Sequence, residues 1–323
     1  MNQRKIRSFV AAGTIGFIAL AGCTPAETGN TVSSTTPVPA GEKYKLTATF
    51  FPLADLTARI AGEKAEVQNL VGDGEPHGFE TSDPQKLARA SESRAIISLG
   101  LGLDGWADDI NAGEVQNYVV SGNIETHNGS GHSDEAGAGI DPHVWLSIRD
   151  TEVLAQNISD VIIGLDPDNA DYYRGTTEAT IKALGYRDEL KTTVLSNVVT
   201  KTIVTADEAL AYLANDYGLT QEGIADVADN EPGPDRIAEI EEYIIANNVH
   251  TLFVEELDSS SAINTIIADI KSQHPGYVLE QANLNALEGL SDEEIADGRD
   301  YFTVMQDNLW VLAKGLGFDD ADI

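Results

Sequence analysis

The chain has 323 residues, 42% of them hydrophobic, and its 53 Asp and Glu against 20 Lys and Arg give a formal net charge of −33. A polypeptide of this length can bury enough apolar surface for two globular domains. The charge argues against a nucleic-acid partner, because binding a polyphosphate requires basic side chains that replace its counterions, whereas a cationic ligand is compatible with it.

The N-terminus carries the features of an export signal. Arg4, Lys5 and Arg7 precede the apolar run FVAAGTIGFIAL, which is too short to span a bilayer and ends in LAGC. This arrangement resembles the bacterial lipoprotein signal, so we expect residues 1–22 to be removed and Cys23 to bind membrane lipid on the extracytoplasmic face of the cell membrane. The alternative is a plain secretory signal or membrane anchor with an incidental cysteine. Because Cys23 is the single cysteine, no intrachain disulfide can form.

The segment that follows the cysteine, TPAETGNTVSSTTPVPAGEK, is polar and rich in Thr, Ser and Pro. It has no apolar periodicity from which a helix or strand could be built. We therefore predict a disordered tether over residues 23–43.

From Tyr44 onward, short β-branched apolar runs alternate with amphipathic stretches, the pattern of an α/β fold with mostly parallel strands. The first half has predicted strands in YKLTATF, EVQNLV, RAIISLG and VQNYVVS, and predicted helices in PLADLTARIAG, DPQKLARASES and LDGWADDI. The second half has predicted strands in KTIVTA, EGIADV, HTLFVEE and GYVLEQ, and predicted helices in EALAYLANDYG, GPDRIAEIEEYIIANN, SAINTIIADIKSQ and DGRDYFTVMQDNLWVLAKGLG. The repetition predicts two similar α/β lobes, residues 44–165 and 199–323.

Residues 166–198 separate the two halves and carry apolar side chains at intervals of three and four. One long connecting helix and two ordinary helices broken near Gly175 or Gly185 fit this pattern about equally well, since each glycine inside a helix costs about 1 kcal/mol. The periodicity alone leaves both open.

Five motifs follow one another along the chain: PHGFE, DPHVWL, ADEALAYLANDYGL, NEPGPDRI and LNALEGLSDEEIADGRDYFTVM. With them the chain resembles the solute-binding proteins of bacterial zinc and manganese ABC importers over essentially its whole mature length. The resemblance implies two lobes joined by one long rigid helix, with Mn²⁺ or Zn²⁺ bound in the cleft between them. It further implies a monomer without enzymatic activity that delivers the metal to a membrane permease with its cytoplasmic ATPase.

By resemblance, the four metal-ligand positions of the family correspond to His77, His143, Asp207 and Asn285. Three of them follow predicted strands, and open parallel sheets bind ligands outside the carboxyl ends of their strands. Each also has a purely structural interpretation. The histidines can be loop residues that cap helices, and Asp207 can be a helix N-cap.

Two of these positions depart from the family pattern. Asp207 stands where the family carries histidine or glutamate, and it keeps ligand character with a shorter reach. Asn285 stands where the family usually has aspartate, and an amide offers one neutral oxygen instead of two charged ones. Water or Glu288 can substitute for Asn285 as the fourth ligand.

The metal itself stays open between manganese and zinc. Two imidazoles, one carboxylate and one amide oxygen form a hard ligand set that favours manganese. Against this, the loop ETHNGSGHSDEAGAG, with His127 and His132, resembles a short form of the His-rich loop of some zinc-binding members. We favour its interpretation as a polar solvated loop.

Glu80, Asp141 and Glu255 are candidates to orient the ligating imidazoles, because such a ring usually donates its second N–H to a carboxylate or carbonyl. A zinc hydrolase is the rival function, since two His and one Asp with bound water also describe a hydrolytic site. The sequence contains no H-E-x-x-H helix, nucleophile elbow or P-loop to support it. An adhesin is a third class, for which nothing in the composition argues.

Overall fold

A computed structural model describes residues 43–74, 76–77, 79, 83–113, 115–128, 139–225, 232–255 and 261–318, which belong to one compact unit. The predicted signal peptide, Cys23 and the tether up to residue 42 lie outside the described residues, as do Glu80 and His132. Within the described ranges, no helix combines the length and apolarity needed to cross a membrane.

The N-terminal lobe is built on a parallel sheet of four short strands in the order β2-β1-β3-β4. The strands are β1 (Tyr44–Ala48), β2 (Ala65–Asn69), β3 (Ala95–Ser98) and β4 (Asn117–Val119). The helices of this lobe are α1 (Phe51–Ala61), α2 (Pro84–Ser91) and α3 (Ile148–Leu165). Consecutive residues such as Ile96 and Ile97 are both fully buried, because both faces of a parallel sheet are covered.

The C-terminal lobe repeats this architecture with the strand order β6-β5-β7-β8. The strands, again all parallel, are β5 (Thr202–Thr205), β6 (Thr220–Gly223), β7 (Thr251–Glu255) and β8 (Glu280–Leu284). The helices are α5 (Ala211–Tyr217), α6 (Pro234–Ala246), α7 (Ser261–Gln273), α8 (Asp292–Ala296) and α9 (Tyr301–Gly315). The same order of strands around the first strand of each sheet confirms the predicted pair of similar α/β lobes.

A single helix of 27 residues, α4 (Ala170–Ser196), connects the two sheets. It confirms the prediction of one long connecting helix. It continues through Gly175 and Gly185 because its stability comes from tertiary contacts rather than from local propensity. Tyr173 and Leu184 are fully buried, and the Tyr173 hydroxyl lies 2.9 Å from that of Tyr44 on β1.

Four local features differ from the prediction. From its third residue, the stretch LDGWADDI belongs to a 3₁₀ segment, Gly105–Gly113. The short helix α8, which begins with a capping box between Ser291 and Glu294, is absent from the prediction. The sixth strand is Thr220–Gly223 rather than EGIADV. The last strand is Glu280–Leu284 rather than GYVLEQ. Tyr277 in that predicted strand instead packs against the core and donates its hydroxyl to the Val249 carbonyl at 2.6 Å.

Candidate metal centre

His143 lies in a buried turn between the isolated bridge at Ile140 and the start of α3, and only 4% of the residue is exposed. The carboxylate of Asp141 accepts both the backbone N–H of His143 at 2.9 Å and its ring Nδ1–H at 2.7 Å. This pair of bonds orients the ring and directs Nε2 into the cleft, where it can bind a metal ion that displaces its proton. Burial alone would lower the pKa of His143, but hydrogen bonds with Asp141 and Glu288 raise it to about 10.

His77 follows β2 on a loop and is the more exposed of the two imidazoles, with 40% of its side chain accessible. Its Nε2 lies 3.4 Å from Nε2 of His143. Two residues further on, the ring of Phe79 packs against Trp106 at 4.7 Å between centroids. This aromatic contact attaches the His77 loop to the N-terminal lobe.

Glu288 reaches the two imidazoles from the C-terminal lobe. Its Oε1 lies 3.4 Å from Nε2 of His77 and 3.6 Å from Nε2 of His143. Burial raises the pKa of Glu288, but hydrogen bonds with the two histidines outweigh that effect and hold it well below its usual range. Of the His, Cys, Asp and Glu residues within the described ranges, these three form the single group that could hold a metal ion, with all ligand atoms within 4.8 Å of one another.

Asn285 directly follows β8 and shapes the turn that carries Glu288. Its side-chain oxygen accepts the backbone N–H of Leu287 at 2.7 Å, which supports the left-handed conformation of Leu287 at φ 64°. Its backbone N–H and C=O are both bonded to the amide of Asn308 on α9, at 2.9 and 2.7 Å. Glu288 thus lies with the two imidazoles in the group of candidate ligand atoms, while the Asn285 oxygen is hydrogen-bonded within the turn.

The remaining residues singled out from the sequence lie apart from this group. The carboxylate of Asp207, after β5, accepts the backbone N–H of Ala209 at 2.7 Å, and its own carbonyl accepts from Gln221 at 3.0 Å. Glu255 is the last residue of β7. His127 stacks near Tyr212, with ring centroids 4.8 Å apart, and donates its backbone N–H to the Tyr212 hydroxyl at 3.1 Å.

Sequence reasoning missed one residue that holds the centre in place. Asn308 is only 6% exposed and lies on the apolar face of α9 between Val304, Leu309 and Leu312. A buried amide on an otherwise apolar helix face needs hydrogen-bond partners, so this interruption of the pattern was the available signal. The sequence does not show that the Asn308 amide bonds the backbone of Asn285.

The three ligand atoms fit a tetrahedral metal ion. Zinc bonds of about 2.0–2.1 Å in tetrahedral geometry place neighbouring ligand atoms ~3.3 Å apart, close to the observed 3.4, 3.4 and 3.6 Å. Octahedral coordination at similar bond lengths brings adjacent ligands to ~3 Å. Two neutral imidazole nitrogens and one carboxylate oxygen form a donor set that zinc accepts in proteins, with one position remaining for water or a fourth residue.

Proteins known for zinc uptake or zinc binding are similar to this chain. Residues 46–315 match the family model described as ZnuA, zinc-uptake complex component A, periplasmic. The high-affinity zinc uptake system protein ZnuA of Bacillus subtilis is 29% identical over 314 residues, which cover 93% of this chain and 94% of that protein. The zinc-binding lipoprotein AdcA of Streptococcus pneumoniae is 30% identical over 293 residues, covering 85% of this chain but 56% of AdcA, so the chain spans about half of that relative.

Among solved structures, the Zn(II)-bound ZnuA-like domain of Streptococcus pneumoniae AdcA has a TM-score of 0.68 to this chain at 28% identity. The match covers 85% of this chain and 99% of that domain. The half of AdcA that corresponds to this chain therefore has the same two-lobed fold.

Proposed function

The chain belongs to the ZnuA family of zinc-uptake components, and on that premise we propose that it captures Zn²⁺ in the cleft between its lobes. The family consists of solute-binding proteins of ABC importers rather than enzymes. The observation that carries the choice of site is the convergence of His77, His143 and Glu288 from both lobes.

In this proposal His77, His143 and Glu288 are the three protein ligands of the ion. Asp141 supports the buried imidazole of His143 through its Nδ1–H, which raises the basicity of the ligating nitrogen. Water completes the tetrahedron, and participation of Asp207 or Asn285 as ligands remains a prediction. An Asn285 oxygen that already accepts from Leu287 is a weaker candidate for the fourth position than water.

Zinc is the favoured cargo for two reasons. The spacing of the ligand atoms suits tetrahedral rather than octahedral coordination, and the relatives ZnuA and AdcA are zinc proteins by name. Manganese, which the hard ligand set of the sequence favoured, would require additional oxygen ligands such as Asp207. It stays an alternative that the metal content of the protein from its native host decides.

Delivery places the protein outside the cytoplasm, where it meets the permease of an ABC importer, which is driven by a cytoplasmic ATPase. Attachment of lipid to Cys23 would keep the protein near that permease, and several acyl chains are needed for stable anchoring. We propose that the protein works as a monomer, since each protein molecule supplies all three ligands of its own site.

The test is to determine the metal content of the protein exported by its own host, followed by titration of the metal-free protein with Zn²⁺ and Mn²⁺. We expect one zinc ion per chain and stronger binding of zinc than of manganese. Purification from the native host matters because almost any such site binds zinc more tightly than manganese, so a foreign host can load the wrong metal. Manganese as the main metal of the native protein would contradict the proposal. Cys23→Ala should release the protein from the membrane or leave its precursor uncut.

A further inference from the structure

Gly289, the residue after Glu288, lies directly against the backbone of the N-terminal lobe. A Cβ atom at this position would lie 2.9 Å from the carbonyl carbon of Asp73, 2.9 Å from the carbonyl oxygen of Gly74 and 3.0 Å from that of Asp73. The opposing atoms are backbone, so no side-chain rotation can make room. Close approach of the two lobes, rather than an unusual backbone conformation, therefore requires glycine here.

The same turn is attached to the N-terminal lobe at a second point. Trp145, two residues after His143, is fully buried and donates its indole N–H to the carbonyl of Ala286 at 2.8 Å. Glu288 thus lies between two contacts with the opposite lobe, at Ala286 and at Gly289. Within its own lobe, the start of the turn is held by the amide of Asn308.

We infer that Gly289 is a positioning residue for metal binding: its missing side chain lets the lobes approach closely enough for Glu288 to join the two imidazoles on one ion. This inference rests on the proposed function. Carboxylate oxygens bind zinc at about 2.0–2.2 Å, so a displacement of the turn by about 1 Å removes Glu288 from coordination. Asp73 and Gly289 lie far apart in the sequence, so their backbones come into contact only when both lobes are folded.

The test compares Gly289→Ala with Glu288→Gln and with the double variant. Zinc affinity is measured by competition with a chromophoric chelator, and the coordination of the ion by the visible absorption of Co²⁺ bound in its place. We expect Gly289→Ala to weaken zinc binding by roughly 10- to 100-fold, the range typical of residues that orient metal ligands. Its Co²⁺ spectrum should match that of Glu288→Gln, and the double variant should bind no more weakly than Glu288→Gln alone, because both changes remove the same interaction.

Two other glycines serve as matched controls. A Cβ at Gly315 would lie 2.6 Å from the Phe253 ring within the C-terminal lobe, so Gly315→Ala introduces a clash away from the cleft. A Cβ at Gly175 meets no atom within 4 Å. Gly315→Ala should lower the unfolding temperature, and both controls should keep wild-type zinc affinity and the wild-type Co²⁺ spectrum.

The outcomes separate the inference from the proposed function. If Glu288→Gln binds zinc like the wild type, the proposed ligand set is wrong. If Glu288→Gln weakens binding while Gly289→Ala does not, or if the two changes add in the double variant, the role of Gly289 is wrong and the ligand set stands. Should Gly289→Ala fail to fold, Trp145→Phe removes the other contact while keeping an aromatic ring. The double variant Trp145→Phe with Glu288→Gln should bind zinc no more weakly than Glu288→Gln alone. If the two losses of zinc affinity add, the inference is overturned.

Discussion

The two lobes meet at two places, at the candidate metal centre and around Phe302 on α9. The two contacts differ in what compensates their charged side chains. At the centre, the carboxylate of Glu288 faces two imidazoles at 3.4 and 3.6 Å. These distances are too long for strong hydrogen bonds and suited to an ion between the atoms. Around Phe302, one guanidinium is paired with two carboxylates of the protein itself.

Arg59 on α1 of the N-terminal lobe provides that pairing. It bonds Asp300, the N-cap of α9, at 2.6 Å and Asp55 at 2.7 Å. The guanidinium carbons of Arg59 and of Arg187 on α4 each lie 4.3 Å from the centroid of the Phe302 ring. This contact is complete without a ligand, whereas the metal centre depends on its cargo, so changes at the two places should affect different measurements.

The largest effect is expected at the buried imidazole. His143→Ala should weaken zinc binding by more than the roughly 10- to 100-fold typical of residues that only orient ligands, because it removes a ligand atom. The metal-free protein should still fold, because each lobe has its own core, although it loses stability when the buried Asp141 carboxylate loses the ring N–H. Titration calorimetry and thermal unfolding of the metal-free and zinc-bound forms check both expectations. Wild-type affinity in this variant would contradict the assignment of His143.

Phe302→Ala should give the opposite pattern. Removing a buried phenylalanine ring costs about 3–5 kcal/mol of unfolding free energy, and Phe302 is only 4% exposed. We expect a large loss of stability in denaturant titrations, while the protein that remains folded still binds one zinc ion. A loss of zinc stoichiometry at temperatures where the variant is folded would show that the two contacts are coupled.

Lys191 on α4 allows a test of stability through pH that does not involve the metal centre. Its ammonium nitrogen is buried without a hydrogen-bond partner among the described residues, with Asp188, Asp216 and the ring of Tyr217 nearby. Burial lowers the pKa of Lys191 from 10.5 to about 7, although Asp216 and Asp188 act in the opposite direction. Between these values the unfolded chain binds more protons than the folded one, so the contribution of Lys191 to stability should increase as pH rises from about 7 to 10.5.

Lys191→Met removes this dependence and should stabilise the protein most at pH 6, by about 1–3 kcal/mol, the usual cost of a buried unsatisfied polar group. The advantage should shrink as pH approaches 10. Urea titrations of wild type and variant at pH 6 and pH 9 measure it. If the difference in unfolding free energy between the two proteins is the same at both pH values, Lys191 is not a buried charged group below pH 7.

Asn285→Asp probes the turn of the metal centre and should have a small effect. The aspartate can still accept the N–H of Leu287, which in the wild type bonds the Asn285 oxygen at 2.7 Å. Its added charge should tighten zinc binding by about threefold or less. A much larger gain would identify position 285 as a direct ligand in the fourth position of the site.

Asp207→Asn should have the smallest effect on zinc affinity, because Oδ1 of Asp207 accepts the Ala209 N–H and Asp207 is not part of the group formed by His77, His143 and Glu288. The change keeps an oxygen for that hydrogen bond. A loss as large as that of His143→Ala would show that Asp207 coordinates the ion, and would revive the case for manganese.

Much of the fold followed from the sequence, because periodicity reports burial directly. Buried parallel strands are continuous apolar runs such as the one containing Ile96 and Ile97, and capped amphipathic stretches became α2 and α9. The prediction of β8 was wrong because Tyr277 and Leu279 pack against the core before the strand begins at Glu280. Periodicity cannot distinguish such a segment from a strand when the apolar run is short.

The sequence predicted which sheet edges border the candidate site, but not which carboxylate meets the imidazoles there. The motifs PHGFE and DPHVWL pointed to His77 and His143, and the position of parallel strand ends predicted that residues after β5 and β8 would lie near the cleft. Which carboxylate meets the imidazoles depends on how closely the lobes approach. The bond from Trp145 to Ala286 and the backbone contact at Gly289 set that approach. Those contacts join residues more than a hundred positions apart, so the sequence alone left Asn285, Glu288 and water open at this position.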